Sequence, residues 1–156
     1  MADRWYAVRV PQEPKRVLTL EEVNALLPRV SELVGRQLDV RREIQGFLAR
    51  LGELTGDVPE RIVLDPADPA DLRALKRGLV EHIERYRAGW RELEEMGGVL
   101  KDSRLGLVDF YGQVDGKLVW LCWKYGEEEV GFYHALDEGF SARRLLAHSM
   151  RHRLLN

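Results

Sequence analysis

The stretch that decides the fold is residues 19–54, which read TLEEVNALLPRVSELVGRQLDVRREIQGFLARLGEL. Thr19 is followed three residues later by Glu22, the spacing of a capping box at a helix start. From Val23 onward, apolar residues recur at alternating steps of three and four. This heptad pattern predicts one long amphipathic helix that ends near Leu54 and packs in the manner of a coiled coil.

A second helix start follows the next loop. Asp68 suits the N-cap, and Pro69 suits the first helical position. The apolar spacing then continues to Met96, where Gly97-Gly98 ends the pattern. Two helices joined by one loop, each with one apolar stripe, predict a long antiparallel helical hairpin over residues 19–97.

One polar residue interrupts the first apolar stripe. Counting along the hairpin places Gln37 opposite Gly89 and Trp90. A buried polar side chain beside a small residue is typical of a position that fixes how two helices align. The alternative interpretation is a contact with a ligand.

After the hairpin, the apolar period changes from 3.6 to 2, which is typical of strands. Strands are predicted over residues 105–114, 117–124 and 130–136, with Asp115-Gly116 as a two-residue turn between the first two. The sequence thus predicts an α+β fold: the hairpin, a three-stranded antiparallel β-meander and a short basic C-terminal helix or tail over residues 141–155. We expect a single domain of residues 1–156.

Composition restricts the class of protein. The chain has 156 residues and a net charge of -2, which argues against a protein that coats nucleic acid by bulk charge. Its only cysteine is Cys122, so no intramolecular disulfide forms and a reducing compartment is favoured. Without a signal-peptide pattern or a long apolar run, a cytoplasmic protein is expected, with no membrane as partner.

Three chemically active side chains fall on the predicted sheet. The Asp115-Gly116 turn pairs Asp109 with Cys122. If the second turn is a three-residue loop, Cys122 also pairs with His134, and the three side chains form a row on one face. A two-residue loop instead places His134 opposite Trp120, which is still a neighbour.

This row has three interpretations. A thiol beside an imidazole and a carboxylate follows the logic of an activated nucleophile. The same groups are ligands for Zn²⁺, and Asp137, Glu138 or water would complete the set. The third interpretation is structural, with a buried thiol and a hydrogen-bonded histidine in the core.

Both faces of the middle strand, residues 117–124, are apolar. An apolar sheet face must be covered, and the helical hairpin covers only one. A second copy of the chain would cover the other, which predicts a homodimer. The alternative cover is Trp5 and Tyr6 together with the C-terminal tail.

The C-terminal tail is basic. We consider polyanion binding there, because positive charge attracts phosphates; a solvated, frayed terminus is the alternative. Without interleaved aromatic residues, nucleic acid is disfavoured as a partner. The candidate polyanion-binding residues are Arg143, Arg144, Arg151 and Arg153.

Three blocks of sequence resemble a known family. The first is residues 18–28, and the second is residues 106–127, which contains Gly106-Leu107-Val108-Asp109-Phe110 and Leu121-Cys122-Trp123-Lys124. The third contains Phe132-Tyr133-His134, Gly139-Phe140 and Arg143. On these blocks the chain is similar to a bacterial and archaeal domain-of-unknown-function family, numbered twenty-two hundred and three, over roughly residues 16–144. The resemblance implies no activity. The family pattern ends with Gly before Arg, where this chain has Ala142 and a longer basic tail.

The sequence therefore favours a non-enzymatic interaction or scaffold domain that acts as a homodimer, with a protein as a further partner. The first alternative is a metal-binding protein or metal-dependent hydrolase that uses Asp109, Cys122 and His134, with zinc as the metal. The second is polyanion or nucleic-acid binding through the tail. No phosphate loop, paired-cysteine motif or serine elbow is present to favour another enzyme class.

Overall fold

The computed structural model describes residues 16–146. Two helices come first, α1 (Leu20–Thr55) and α2 (Ala70–Glu95). The capping box is confirmed: the Thr19 N–H donates to Glu22 Oε2 at 2.9 Å, and the Glu22 N–H donates to Thr19 Oγ1 at 3.1 Å. Within the described range, neither helix has an apolar stretch of the length needed to cross a membrane.

The chain forms two compact units. Among the described residues, one unit holds residues 36–90, and the other holds residues 16–35 and 91–146. Each unit therefore contains part of α1 and part of α2.

In the unit of residues 36–90, the two helices run antiparallel. Gln37 Nε2 donates to the Tyr86 carbonyl at 2.5 Å. Glu43, which follows Gln37 in α1, has Oε2 3.1 Å from Nε2 of His82, which precedes Tyr86 in α2. The predicted helical hairpin is confirmed by these contacts. The predicted position of Gln37 opposite Gly89 is confirmed as well, because the buried Gln37 amide occupies the space that a side chain at Gly89 would need.

The other unit contains a five-stranded antiparallel sheet. The strands lie in the order of the sequence: β1 (Gly98–Asp102), β2 (Leu107–Val114), β3 (Lys117–Lys124), β4 (Phe132–His134) and β5 (Arg144–Leu145). The predicted turn between β2 and β3 is confirmed, with φ of 51° at Asp115 and 76° at Gly116. Such positive angles are what a type I′ hairpin turn requires.

Two predictions about the sheet unit are wrong. The sheet has five strands and not three, because β1 begins directly after α2 and β5 is only two residues long. The predicted C-terminal helix is replaced over its described residues by a 3₁₀ turn (Phe140–Ala142) and β5. Backbone pairing of β5 with β4 satisfies its polar groups without a helix. Residues 147–155 of that prediction lie outside the described range.

The two faces of the sheet differ in character. The first face carries fully buried apolar side chains, which in β2 and β3 are Val108, Phe110, Leu121 and Trp123. This face packs on the helical part of its unit, because Gly98 leaves room for Leu93 of α2. The second face, which we call the polar face, mixes buried aromatic and ionisable groups; its members in β2 and β3 are Asp109, Tyr111, Trp120 and Cys122.

Candidate metal centre

Asp109 and Cys122 are brought together by the β2–β3 hairpin. The two-residue turn sets the register, and the two residues are direct partners across the strands. Because side chains alternate between faces, partners in a ladder share a face. Both side chains are buried on the polar face, as the sequence predicted.

His134 reaches the same place by the second of the two pairings considered above. It pairs with Trp120, and Cys122 pairs with Phe132. The prediction that Cys122 pairs with His134 is therefore wrong, and the alternative pairing with Trp120 is confirmed. The two pairings of His134, with Cys122 and with Trp120, differ by two residues along β3. A shift of two residues keeps a side chain on the same face of the sheet. His134 Nε2 consequently lies 2.8 Å from Asp109 Oδ2.

The hydrogen bonds of His134 define its protonation. Nδ1 lies 2.9 Å from the carbonyl oxygen of Ala135; a carbonyl only accepts, so Nδ1 carries a hydrogen. Burial of the ring disfavours the charged form, but the bonds to Asp109 and Ala135 outweigh it and raise the pKa of His134 above its ordinary value. Both ring nitrogens thus face oxygen atoms, and the site favours the charged form of His134 more than water does.

Cys122 is not activated in this arrangement. Burial raises the pKa of its thiol to about 12; the Asp109 carboxylate acts in the same direction, and Arg143 acts against it. The thiol stays protonated at neutral pH, whereas a nucleophilic cysteine needs a lowered pKa or an adjacent free base. His134 has both nitrogens engaged, so the nucleophile hypothesis finds no free base here.

Three ligand types converge on one point. One carboxylate oxygen of Asp109, Cys122 Sγ and one ring nitrogen of His134 all lie within 4.8 Å of one another. Zinc bonds of about 2.0–2.3 Å in a tetrahedron separate ligand atoms by about 3.5 Å. The limit of 4.8 Å on the distances between the three atoms is somewhat longer than this separation, so the side chains would have to shift to bind one ion.

The two other predicted ligands are not part of this group. Glu138 Oε2 accepts the N–H of Ala135 at 3.2 Å, and its other carboxylate oxygen lies 3.2 Å from Arg144 Nη2. Asp137 does not belong to the converging group either. Among the described residues, the site thus offers three protein ligands and no fourth.

Two cationic side chains border the site. Lys101, from β1, places Nζ 3.8 Å from the centroid of the Trp120 ring. Arg143 lies between the Phe132 and Phe140 rings, 3.9 and 4.3 Å from their centroids. Lys101 was missed by sequence reasoning because β1 was missed; the alternation of Val99 and Lys101 in a strand would have placed it on this face.

The predicted polyanion-binding residues have carboxylate partners where the structure describes them. Arg143 Nη1 lies 2.8 Å from Glu127 Oε1, and Arg144 Nη2 lies 3.2 Å from Glu138 Oε1. Arg151 and Arg153 lie outside the described residues. Polyanion binding stays a prediction, with the charge of two of its four arginines already balanced.

Comparison with known proteins identifies a family. The family described as "Uncharacterized conserved protein (DUF2203)" matches residues 16–146. No curated protein and no solved structure matches the chain.

Proposed function

The chain belongs to the uncharacterised family DUF2203, whose name carries no activity, and from the geometry of the sheet we propose that it is a metal-binding protein. Asp109, Cys122 and His134 are the proposed ligands, and zinc is the proposed ion. The observation that carries the proposal is the convergence of oxygen, sulfur and nitrogen ligands in one buried place. Zinc accepts all three donors.

The hydrogen bond to Ala135 supports this assignment. Histidines that bind metals usually donate their other N–H to a carbonyl or carboxylate, which fixes the ring and its tautomer. Here Nδ1 donates to Ala135 while Nε2 faces the carboxylate. The second hydrogen bond of a metal-binding histidine is therefore already present.

The chemistry of the apo state is compatible with exchange of protons for an ion. Asp109 accepts hydrogen bonds from Cys122 and His134. A divalent cation that replaces the thiol hydrogen and the Nε2 hydrogen leaves the three groups in the forms that bind metals. A hydrogen-bonded pair of Asp109 and His134 would be complete without a thiol beside it, whereas a zinc site uses the sulfur as a ligand.

A scaffold or interaction domain is the second candidate, and exposed apolar side chains in the hairpin loop favour it. Val63 and Leu64 are 61% and 52% exposed. Apolar residues at such exposure are common one at a time, and adjacent ones are typical of contact surfaces. The homodimer and the cytoplasmic location belong to this proposal, and the lone reduced thiol suits such a compartment.

Metal content tests the proposal. Untagged protein, purified without chelator, is analysed for transition metals beside Cys122→Ser, His134→Ala and the matched control His82→Ala, whose histidine lies in the other unit. We expect one zinc per chain in the wild type and the control, and at least a tenfold weaker zinc affinity in the two site variants. Cobalt added to metal-free protein should give the thiolate charge-transfer absorption in the wild type and the His82→Ala control, and not in Cys122→Ser.

Two results would contradict the proposal. One is a folded wild-type protein that neither contains a metal nor gives cobalt absorption. The other is equal metal content in all four proteins. Either result leaves Asp109, Cys122 and His134 as core residues and makes the scaffold candidate the working function.

A further inference from the structure

The border of the proposed metal centre carries a second cation besides Arg143, the ammonium of Lys101. Arg143 is ion-paired with Glu127. Lys101, by contrast, has its ammonium over the Trp120 ring, and among residues 16–146 no carboxylate lies within ion-pair distance of it. An ammonium held against an aromatic ring keeps its positive charge and its donors.

Lys101 lies within electrostatic reach of the site. Partial burial lowers the pKa of its ammonium, and the charges of Asp109 and Cys122 act in the opposite direction. Its position on β1 accounts for this, because Val99 on the same strand pairs with Asp109. Lys101 lies two residues after Val99 on β1 and is exposed. Its side chain therefore lies at the border between the buried ligands and the solvent.

The charges at a loaded site do not cancel. A divalent ion, the Asp109 carboxylate, the Cys122 thiolate and a neutral His134 sum to zero. Arg143 and Glu127 also cancel, and the ammonium of Lys101 leaves one positive charge. That positive charge lies at the exposed border of the site and attracts anions, and a monoanion is the ligand that would balance it.

We propose that the metal centre takes a small carboxylate anion as its fourth ligand, with Lys101 as the residue that binds it. The proposal rests on the proposed metal-binding function and names the ligand class for the same site. Three protein ligands leave one position of a tetrahedral ion open. Lys101 donates to the carboxylate oxygen that does not contact the ion, and such charge-assisted hydrogen bonds are short and strong.

Cobalt-loaded protein provides the test. Sodium acetate is titrated at constant ionic strength while the visible absorption of the cobalt is recorded, with sodium sulfate as the dianion comparison. The variants are Lys101→Gln and the matched control Lys117→Gln, an exposed lysine at the start of β3. We expect acetate to change the spectrum saturably in wild type and control, and Lys101→Gln to require roughly fivefold to tenfold more acetate. Sulfate should change the cobalt absorption less than acetate does.

The outcomes separate the two proposals. Absence of any cobalt–thiolate absorption contradicts the metal-binding function itself. Cobalt absorption that acetate does not change overturns the carboxylate ligand and leaves the metal site standing. An equal acetate response in Lys101→Gln and Lys117→Gln, or a stronger response to sulfate than to acetate, also overturns the assignment.

Discussion

At the scale of single residues, the charge of His134 makes stability depend on pH. The pKa of His134 is raised in the folded protein by its hydrogen bonds to Asp109 and Ala135. A group with a raised folded pKa stabilises the fold fully below its unfolded pKa, near 6.5, and this contribution is lost as the pH rises through the folded pKa. We therefore expect His134→Gln to destabilise the metal-free protein more at about pH 5.5 than at about pH 8.5.

Urea unfolding of wild type and His134→Gln, both in chelator, measures this difference. Asp109→Asn is the companion variant, because it keeps the shape of the acceptor and removes its charge. In that background the pH dependence should shrink. A loss that is the same at both pH values, or larger at the alkaline one, would show that His134 is buried neutral.

The residues of the site were predictable to different degrees. Asp109 and Cys122 follow directly from a two-residue turn, whose geometry leaves one register. For His134 two pairings stayed open, with Cys122 or with Trp120, because residues 125–131 form a longer irregular connection that no turn motif specifies. Lys101 required the strand that the sequence did not reveal.

At the scale of elements, the alignment of the two helices depends on Gln37 and Gly89. A Cβ added at Gly89 would lie 2.7 Å from Gln37 Nε2 and closer still to Oε1. That amide donates to the Tyr86 carbonyl, so it cannot move without losing a buried hydrogen bond, a loss of about 1–3 kcal/mol. We expect Gly89→Ala to destabilise the protein although alanine is the better helix former.

A double-mutant cycle checks this reasoning. In the Gln37→Ala background the space is vacant, and Gly89→Ala should now stabilise by up to about 1 kcal/mol, the helix-propensity gain. The sign of the effect thus reverses between backgrounds in chemical denaturation. An unchanged sign would mean that the amide does not fill the space beside Gly89.

Among the elements, those with strong local signals were predictable, whereas β1 and β5 were not. The start of α1 is predicted by the Thr19–Glu22 capping box, which is present in the structure. β1 has no comparable signal, since Gly98 begins it and Leu93 of α2 packs where a side chain would be. β5 has two residues and exists through its pairing with β4, a long-range contact that no local pattern encodes.

At the scale of the whole molecule, the prediction of a homodimer rested on an apolar sheet face that only a second chain would cover. In the structure, Trp120, Cys122 and Trp123 are all buried within one chain. These three side chains therefore do not need a second chain, and the prediction now depends on the side chains that stay exposed, among them Leu118 of the same strand. In the sheet unit, the most exposed large apolar one is Leu145 of β5, at 67%.

Sedimentation equilibrium tests the homodimer, and β5, the last strand of the sheet among residues 16–146, indicates where to break it. Exposed strand edges with apolar side chains are favourable places for a second chain to pair. We expect the wild type to show twice the chain mass of 18.0 kDa, and Leu145→Glu to show the mass of one chain, because the added charge would be buried without a partner. Leu64→Glu, an exposed leucine in the other unit, is the matched control and should stay dimeric. A wild type that sediments as a single chain at every concentration contradicts the homodimer, and dissociation by Leu64→Glu alone would move the interface to the hairpin loop.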